Sequence, residues 1–168
     1  NVEELKVDLI SQLESMERTD NVIVVIDSIG NLASKKELED AINEKSVADM
    51  SRAKALKGLF RMATPYLAMK NIPMLAVNHT YKEIGLFPKD IVGGGTGIYY
   101  SADNIWILGR RQNKTGTEVT GYDFIINVEK SRYVKEKSKL PISVSWDGGV
   151  ERFSGLLDAA LAGCYCTN

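Results

Sequence analysis

Apolar residues recur at three- and four-residue spacing from the start of the chain. Leu5, Leu9, Leu13 and Met16, with charges between them, predict an amphipathic helix over residues 2–17. Residues 22–26 form a continuous Val-Ile-Val-Val-Ile run. Such a β-branched run predicts a strand buried on both faces, as in a parallel sheet. Asp27, Ser28, Ile29 and Gly30 follow as a loop. Residues 34–46 are charged and mixed, and read as a loop or a short helical segment. A long helix is predicted over about 47–70, with Val47, Met50, Leu56, Leu59, Phe60 and Ala63 on one face. Pro65 is expected to kink that helix or to end its regular part.

A second buried strand is predicted at residues 74–78, Met-Leu-Ala-Val-Asn. Residues 79–96 show no period and run into Gly93, Gly94 and Gly95. A structureless stretch of that length is usually functional or disordered. Strands are predicted again at 104–109, 122–129 and 142–146, with hydrophilic connections at 109–121 and 134–141. A short helix over 153–162 closes the pattern. Strand, helix, strand and then a run of strands predicts an α/β fold with a parallel core and an antiparallel extension.

Composition changes this picture little. The chain has 168 residues, enough for one domain or a large part of one. Basic side chains number 21 against 22 acidic ones, so a nucleic-acid surface would have to be local rather than global. No apolar run approaches the roughly 18 residues of a membrane span, and no stretch reads as a secretory leader. Cys164 and Cys166 are too few for a disulfide framework. They are expected to be reduced thiols, and with no Cys or His nearby they predict no metal site. The chain begins at Asn1 inside a helical pattern and trails off after residue 162. Both ends are expected to be cuts through a larger protein.

Several positions carry candidate chemistry. Asp27 ends an apolar strand and is followed by Ser28. Open α/β sheets bind ligands at the carboxyl ends of their strands, and in P-loop NTPases an Asp there supports Mg²⁺ on nucleotide phosphates. The plain alternative is an Asp that opens a turn. His79, the single histidine, follows the second strand directly after Asn78. If the two strands are neighbours it lies near Asp27 and can meet a phosphate oxygen; a satisfied structural histidine is the alternative. The glycines of residues 93–97 permit positive φ and a close backbone approach to a ligand, or a hinge. Lys130 and Arg132 leave a predicted strand at i, i+2 spacing, which puts both on one side of extended chain. That placement suits a phosphate clamp, or a charge partner across an interface. Arg52, Lys54, Lys57 and Arg61 on the long helix suit DNA phosphates or a solvated face.

Five strings occur together and in order: NVIVVIDSIGNLASKKELEDAINEK, IPMLAVNHTY, GGGTGIYYSADNIWILGRRQ, NVEKSRYVKEKSK and DGGVERFSGLLDAAL. Their combination resembles the RecA-type recombinases, and most of all the UvsX recombinases of T4-like bacteriophages. The resemblance runs over essentially the whole chain. It implies a RecA-like P-loop ATPase core, a mostly parallel central sheet flanked by helices, of which residues 1–168 are the central and C-terminal part. Asp27 then matches the Walker B aspartate, acting on Mg²⁺ through water, with Ser28, Asn78 and Tyr99 also on the nucleotide side. Residues 39–49 resemble the first DNA-binding loop. Residues 81–92 resemble the second, with Lys82 and Lys89 in it and Gly93, Gly94, Gly95 and Thr96 at its anchor. Arg52 and Lys54 fall at basic DNA-side positions. His79 stands where bacterial RecA has a glutamine that senses the γ-phosphate, a departure shared with the phage branch. Lys130 and Arg132 match the cations that reach a neighbouring subunit's ATP, and Tyr99 an aromatic residue at the subunit interface.

The resemblance implies ATP and Mg²⁺ as cofactors. The implied partners are single-stranded DNA, homologous duplex, further copies of the chain in a filament, and phage single-stranded-DNA-binding and mediator proteins. It places the protein in the host cytoplasm. The phosphate loop G-x-x-x-x-G-K-S/T is absent from these residues. The resemblance puts that loop and the catalytic glutamate upstream, so the 168-residue chain is expected not to hydrolyse ATP by itself. A hexameric replicative helicase shares several of these features, but the strings around residues 31–41 and 93–103 fit recombinases better. A DNA-binding paralogue without ATPase is the remaining alternative.

Overall fold

A computed structural model describes residues 1–44, 50–86, 88–163 and 165. The expectation for Val47 and the end of the first predicted DNA loop, residues 45–49, lie outside the described residues, as do Phe87, Cys164 and Cys166. The chain forms two compact units, Asn1–Ala102 and Asp103–Asn168.

The first unit is built on helix α1 (Val2–Ser15), strand β1 (Val24–Ile26), helices α2 (Lys35–Ile42) and α3 (Ser51–Lys70) and strand β2 (Met74–Ala76). β1 and β2 pair in parallel, with Val25 opposite Leu75, as the two apolar runs predict. A parallel pair needs a long crossover, and residues 27–73 supply it. The α1 spacing works as expected: Val2, Leu9 and Leu13 are buried with Leu56, Leu59, Phe60 and Ala63 of α3 in one apolar cluster. A buried leucine in such a cluster contributes about 1.5–3 kcal/mol. Met50 departs from the predicted helix face. It is the N-cap residue of α3 and is exposed. Pro65 does not end α3, which runs five residues past it to Lys70. The mixed segment before it forms α2, because Ser34 caps it: the Ser34 hydroxyl accepts from the Glu37 N–H, and the Glu37 carboxylate accepts from the Ser34 N–H.

The expected burial of residues 22–26 on both faces is only half met. Val24 and Ile26 pack on the core, whereas Ile23 and Val25 are exposed, as are Leu75 of β2 and Val77 just beyond it. Among the described residues of the unit, no layer covers the outer face of this parallel pair. The mostly parallel sheet is likewise not seen among the described residues, where parallel pairing is confined to β1 and β2.

Residues 79–96 are not structureless. Strands β3 (Thr80–Lys82) and β4 (Asp90–Val92) form a small antiparallel hairpin, and Thr96–Ser101 form helix α4. Three-residue strands are too short to print a period, which explains the difference.

The second unit is an antiparallel sheet in the order β5 (Asn104–Thr115), β6 (Glu118–Ser131), β7 (Lys139–Ser145) and β8 (Gly149–Val150), followed by α5 (Leu156–Ala162). The predicted connection at 109–121 is instead the distal half of a long hairpin that turns at Gly116, where φ is +66°. Polar cross-strand pairs carry this half: Arg110 stacks over the Tyr122 ring at 4.7 Å, and Arg111 meets Asp123 at 2.8 Å. Alternation of apolar residues is therefore absent where the ladder continues. The molecule is a mixed α/β protein with parallel and antiparallel sheets. No helix among the described residues is long and apolar enough to cross a membrane.

Candidate functional site

Asp27 and His79 are brought together as their places after two apolar strands suggest. The parallel register sets Ile26 beside Ala76, so both chains leave the sheet at the same edge. The Ile29 N–H then donates to the Val77 carbonyl at 3.0 Å, and the Val77 N–H to the Ile26 carbonyl at 2.9 Å. The Asp27 carboxylate and the His79 ring are both exposed at this edge. Ser28 differs. Its hydroxyl oxygen is buried and has no hydrogen-bond partner among the described residues. The Asp27–Ser28 peptide is cis.

Gly30 lies against the histidine. A Cβ at Gly30 would collide with Cδ2 of the His79 ring and stand 3.0 Å from its Nε2. A side chain here would displace the ring, and the glycine's place three residues after Asp27 was the available signal in the sequence. Asn78 holds the base of the hairpin. Its side-chain amide donates to the Gly93 carbonyl at 2.8 Å, and its oxygen accepts from the His79 N–H at 2.9 Å. The Gly93 N–H closes the loop on the His79 carbonyl at 3.0 Å.

The glycine cluster acts through packing as well as through backbone freedom. Gly94 and Gly95 adopt φ of +86° and +83°, a region costly for other residues. A Cβ at Gly94 would run into Ile98 and approach Leu56, and one at Gly97 would stand 2.7 Å from Lys57 Cβ. The glycines thus let α4 sit tightly on α3, with Thr96 as its first residue and Tyr99 half-buried within it, edge-on to Tyr100. Lys82 is paired across the hairpin with Asp90 at 2.8 Å, while Lys89 and Lys54 are exposed.

Arg52 is engaged within the unit. Its Nε donates to the Leu32 carbonyl at 2.8 Å, and one terminal nitrogen donates to Ile29 at 3.0 Å and Gly30 at 2.6 Å. These contacts leave no trace in the sequence, because backbone carbonyls carry no residue signature.

Lys130 and Arg132 belong to the second unit. Lys130 is half-buried near the end of β6, opposite Ile105. The strand ends at Ser131, so Arg132 lies in the bend beyond it rather than beside Lys130 on extended chain. The Arg132 N–H donates to the Asp103 carbonyl, and its guanidinium meets the Asp103 carboxylate at 3.0 Å. Asp103 was not singled out from the sequence; its partner is 29 positions away in the chain.

Over 161 residues the chain is 57% identical to the recombination and repair protein of Enterobacteria phage T4, covering 96% of this chain and 41% of that protein. It is 25% identical over 167 residues to Protein RecA of Chloroherpeton thalassium, and 25% over 142 residues to Protein RecA of Tropheryma whipplei. These matches cover 91% and 83% of this chain, and 46% and 32% of the two RecA proteins. This chain is related to the RecA-type recombinases. No family model matches it. The chain spans less than half the length of these curated relatives. The sheet edge thus gathers an exposed carboxylate, a buried hydroxyl without a partner among the described residues, and an imidazole beside the first residues of a hairpin.

Proposed function

We propose that this chain is the central and C-terminal part of a RecA-like P-loop ATPase core. In this reading it belongs to an ATP-dependent DNA strand-exchange protein that forms a filament on single-stranded DNA. That protein would serve homologous recombination, repair and recombination-dependent replication in the host cytoplasm. The observation that carries the reading is the 57% identity over 96% of the chain to a phage recombination and repair protein. The Ser28 hydroxyl, buried and without a partner among the described residues, fits a site for phosphate oxygens or a hydrated Mg²⁺.

Asp27 would hold Mg²⁺ through water, with Ser28 beside it. The metal would neutralise charge on the nucleotide phosphates. His79 would hydrogen-bond a phosphate oxygen from the edge next to Asp27, and Asn78 would keep its backbone registered on Gly93. Because the same residues begin the hairpin, occupancy at His79 would bear on residues 80–92, where Lys82, Lys89 and the exposed Ile84 and Leu86 face solvent. This hairpin, the segment before α3 and the exposed Lys54 would meet DNA, chiefly through phosphates, so affinity should fall with salt. Lys130 and Arg132 would serve the ATP of a neighbouring copy, stabilising charge on its γ-phosphate. Tyr99 would lie at that interface. Homologous duplex and phage single-stranded-DNA-binding and mediator proteins would be further partners.

The test is ATP hydrolysis by the intact protein with and without single-stranded DNA. Stimulation by DNA that is lost in Asp27→Ala, with the fold retained, is expected. Hydrolysis indifferent to DNA, or unaffected by the substitution, would overturn the reading.

A further inference from the structure

A guanidinium offers five N–H donors in a rigid fork, and it is favoured where several carbonyl oxygens converge. Arg52 meets that condition. The three carbonyls it binds, Ile29, Gly30 and Leu32, all belong to the turn that follows Asp27 and Ser28. That turn is a short 3-10 helix over Ile29–Asn31, and its Ile29 carbonyl also accepts from the Leu32 N–H at 3.4 Å. The neighbouring residue adds a second tie: the Ser51 and Ser34 hydroxyls stand 2.7 Å apart, and Ser34 is wholly buried. The first two residues of α3 therefore grip both ends of segment 29–34.

The far side of the same turn faces the histidine. The His79 ring lies over Gly30 so closely that no Cβ fits between them. His79 is tied in turn to Gly93 at the base of the β3–β4 hairpin. A contiguous path thus runs from the start of α3, through Arg52 and Gly30, to His79 and the hairpin.

We propose that Arg52 is a positioning residue, a clamp that fixes the turn after Asp27 and thereby seats His79 on Gly30. A displacement of the start of α3 would be transmitted to His79 through this clamp. The proposal rests on the reading above, in which His79 meets a nucleotide phosphate and the flanking segments meet DNA. It gives Arg52 a role that does not require it to touch DNA.

The test uses the intact protein and the ratio of its single-stranded-DNA affinities with and without a non-hydrolysable ATP analogue. Arg52→Lys keeps the cation but cannot reproduce the fork on three carbonyls. Gly30→Ala keeps Arg52 and displaces the His79 ring. Allosteric couplings are commonly about 5–150-fold, and both variants are expected to cut the wild-type ratio by about 5-fold or more. A plain phosphate contact at position 52 weakens both states alike and leaves the ratio at its wild-type value, which would overturn the clamp. A wild-type ratio of one would instead overturn the recombinase reading, and the clamp is then decided by a second readout. His79 is the only histidine of this chain. Its ring Cε1–H resonance, assigned by loss in His79→Gln, is expected to shift in Arg52→Lys and in Gly30→Ala. An unmoved resonance in Arg52→Lys would also overturn the clamp.

Discussion

Replacing Asp123 by Asn tests the electrostatics of the second unit. The Asp123 carboxylate accepts from Arg111 at 2.8 Å, Asn113 at 2.7 Å and Ser143 at 2.9 Å, and its side chain is 16% exposed. The Arg111 hydrogen bond, followed by those of Asn113 and Ser143, lowers its pKa from 3.8 to about 2. A shift of that size corresponds to about 2 kcal/mol. Arg111 is mostly exposed, so solvent screening reduces its share, and about 1–2 kcal/mol is the expected contribution at neutral pH. A carboxyl group with a depressed folded pKa stabilises the fold fully above its unfolded pKa, and that stability is lost as pH falls through the folded value. Asp123→Asn, which turns an amide towards Arg111, should therefore be less stable than wild type at pH 6. The gap should close between about pH 4 and pH 2. Both tryptophans, Trp106 and Trp146, lie in this unit, so the urea midpoint followed by tryptophan fluorescence reports on it. A gap absent at pH 6, or equally large at pH 2, would refute the reasoning.

Three further outcomes are expected. Gly94→Ala forces a side chain into φ of +86° and against Ile98 and Leu56; it should destabilise the first unit by about 2–4 kcal/mol, and an unchanged thermal midpoint by circular dichroism would contradict this. Lys70→Met removes an ammonium that donates to the carbonyls of Leu13, Glu14 and Met16 at the end of α1. A loss of about 2–3 kcal/mol is expected there, seen as faster amide exchange in α1; unaltered protection would count against it. The 168-residue chain, which holds no G-x-x-x-x-G-K-S/T loop, should show no ATP turnover, and turnover lost on Asp27→Ala would sink that expectation.

What was legible in the sequence follows from how each element is stabilised. β1, β2, α1 and the buried face of α3 rest on burial of apolar side chains, which prints a run or a period, so these elements were legible, though Met50 is exposed and the burial expected on both faces of residues 22–26 is met on one only. Arg110, Arg111, Asn113 and Asp123 hold the distal part of the β5–β6 hairpin through polar pairs, so residues 109–121 looked like a connection. The placement of Asp27 and His79 at one sheet edge was legible because each follows an apolar strand and parallel strands share their ends. The Arg52 clamp was not, since its acceptors are main-chain oxygens. Lys130 and Arg132 stand out as neighbouring cations in sequence, but neither the end of β6 at Ser131 nor the Asp103 partner leaves a local signal there.

The most direct test of the central claim is strand exchange by the intact protein: coat single-stranded DNA, add labelled duplex, and follow the displaced strand. The account predicts displacement that requires ATP and homology between the two DNAs, and that Asp27→Ala abolishes. Strand separation regardless of homology, or no exchange by a protein that still binds DNA and hydrolyses ATP, would contradict it.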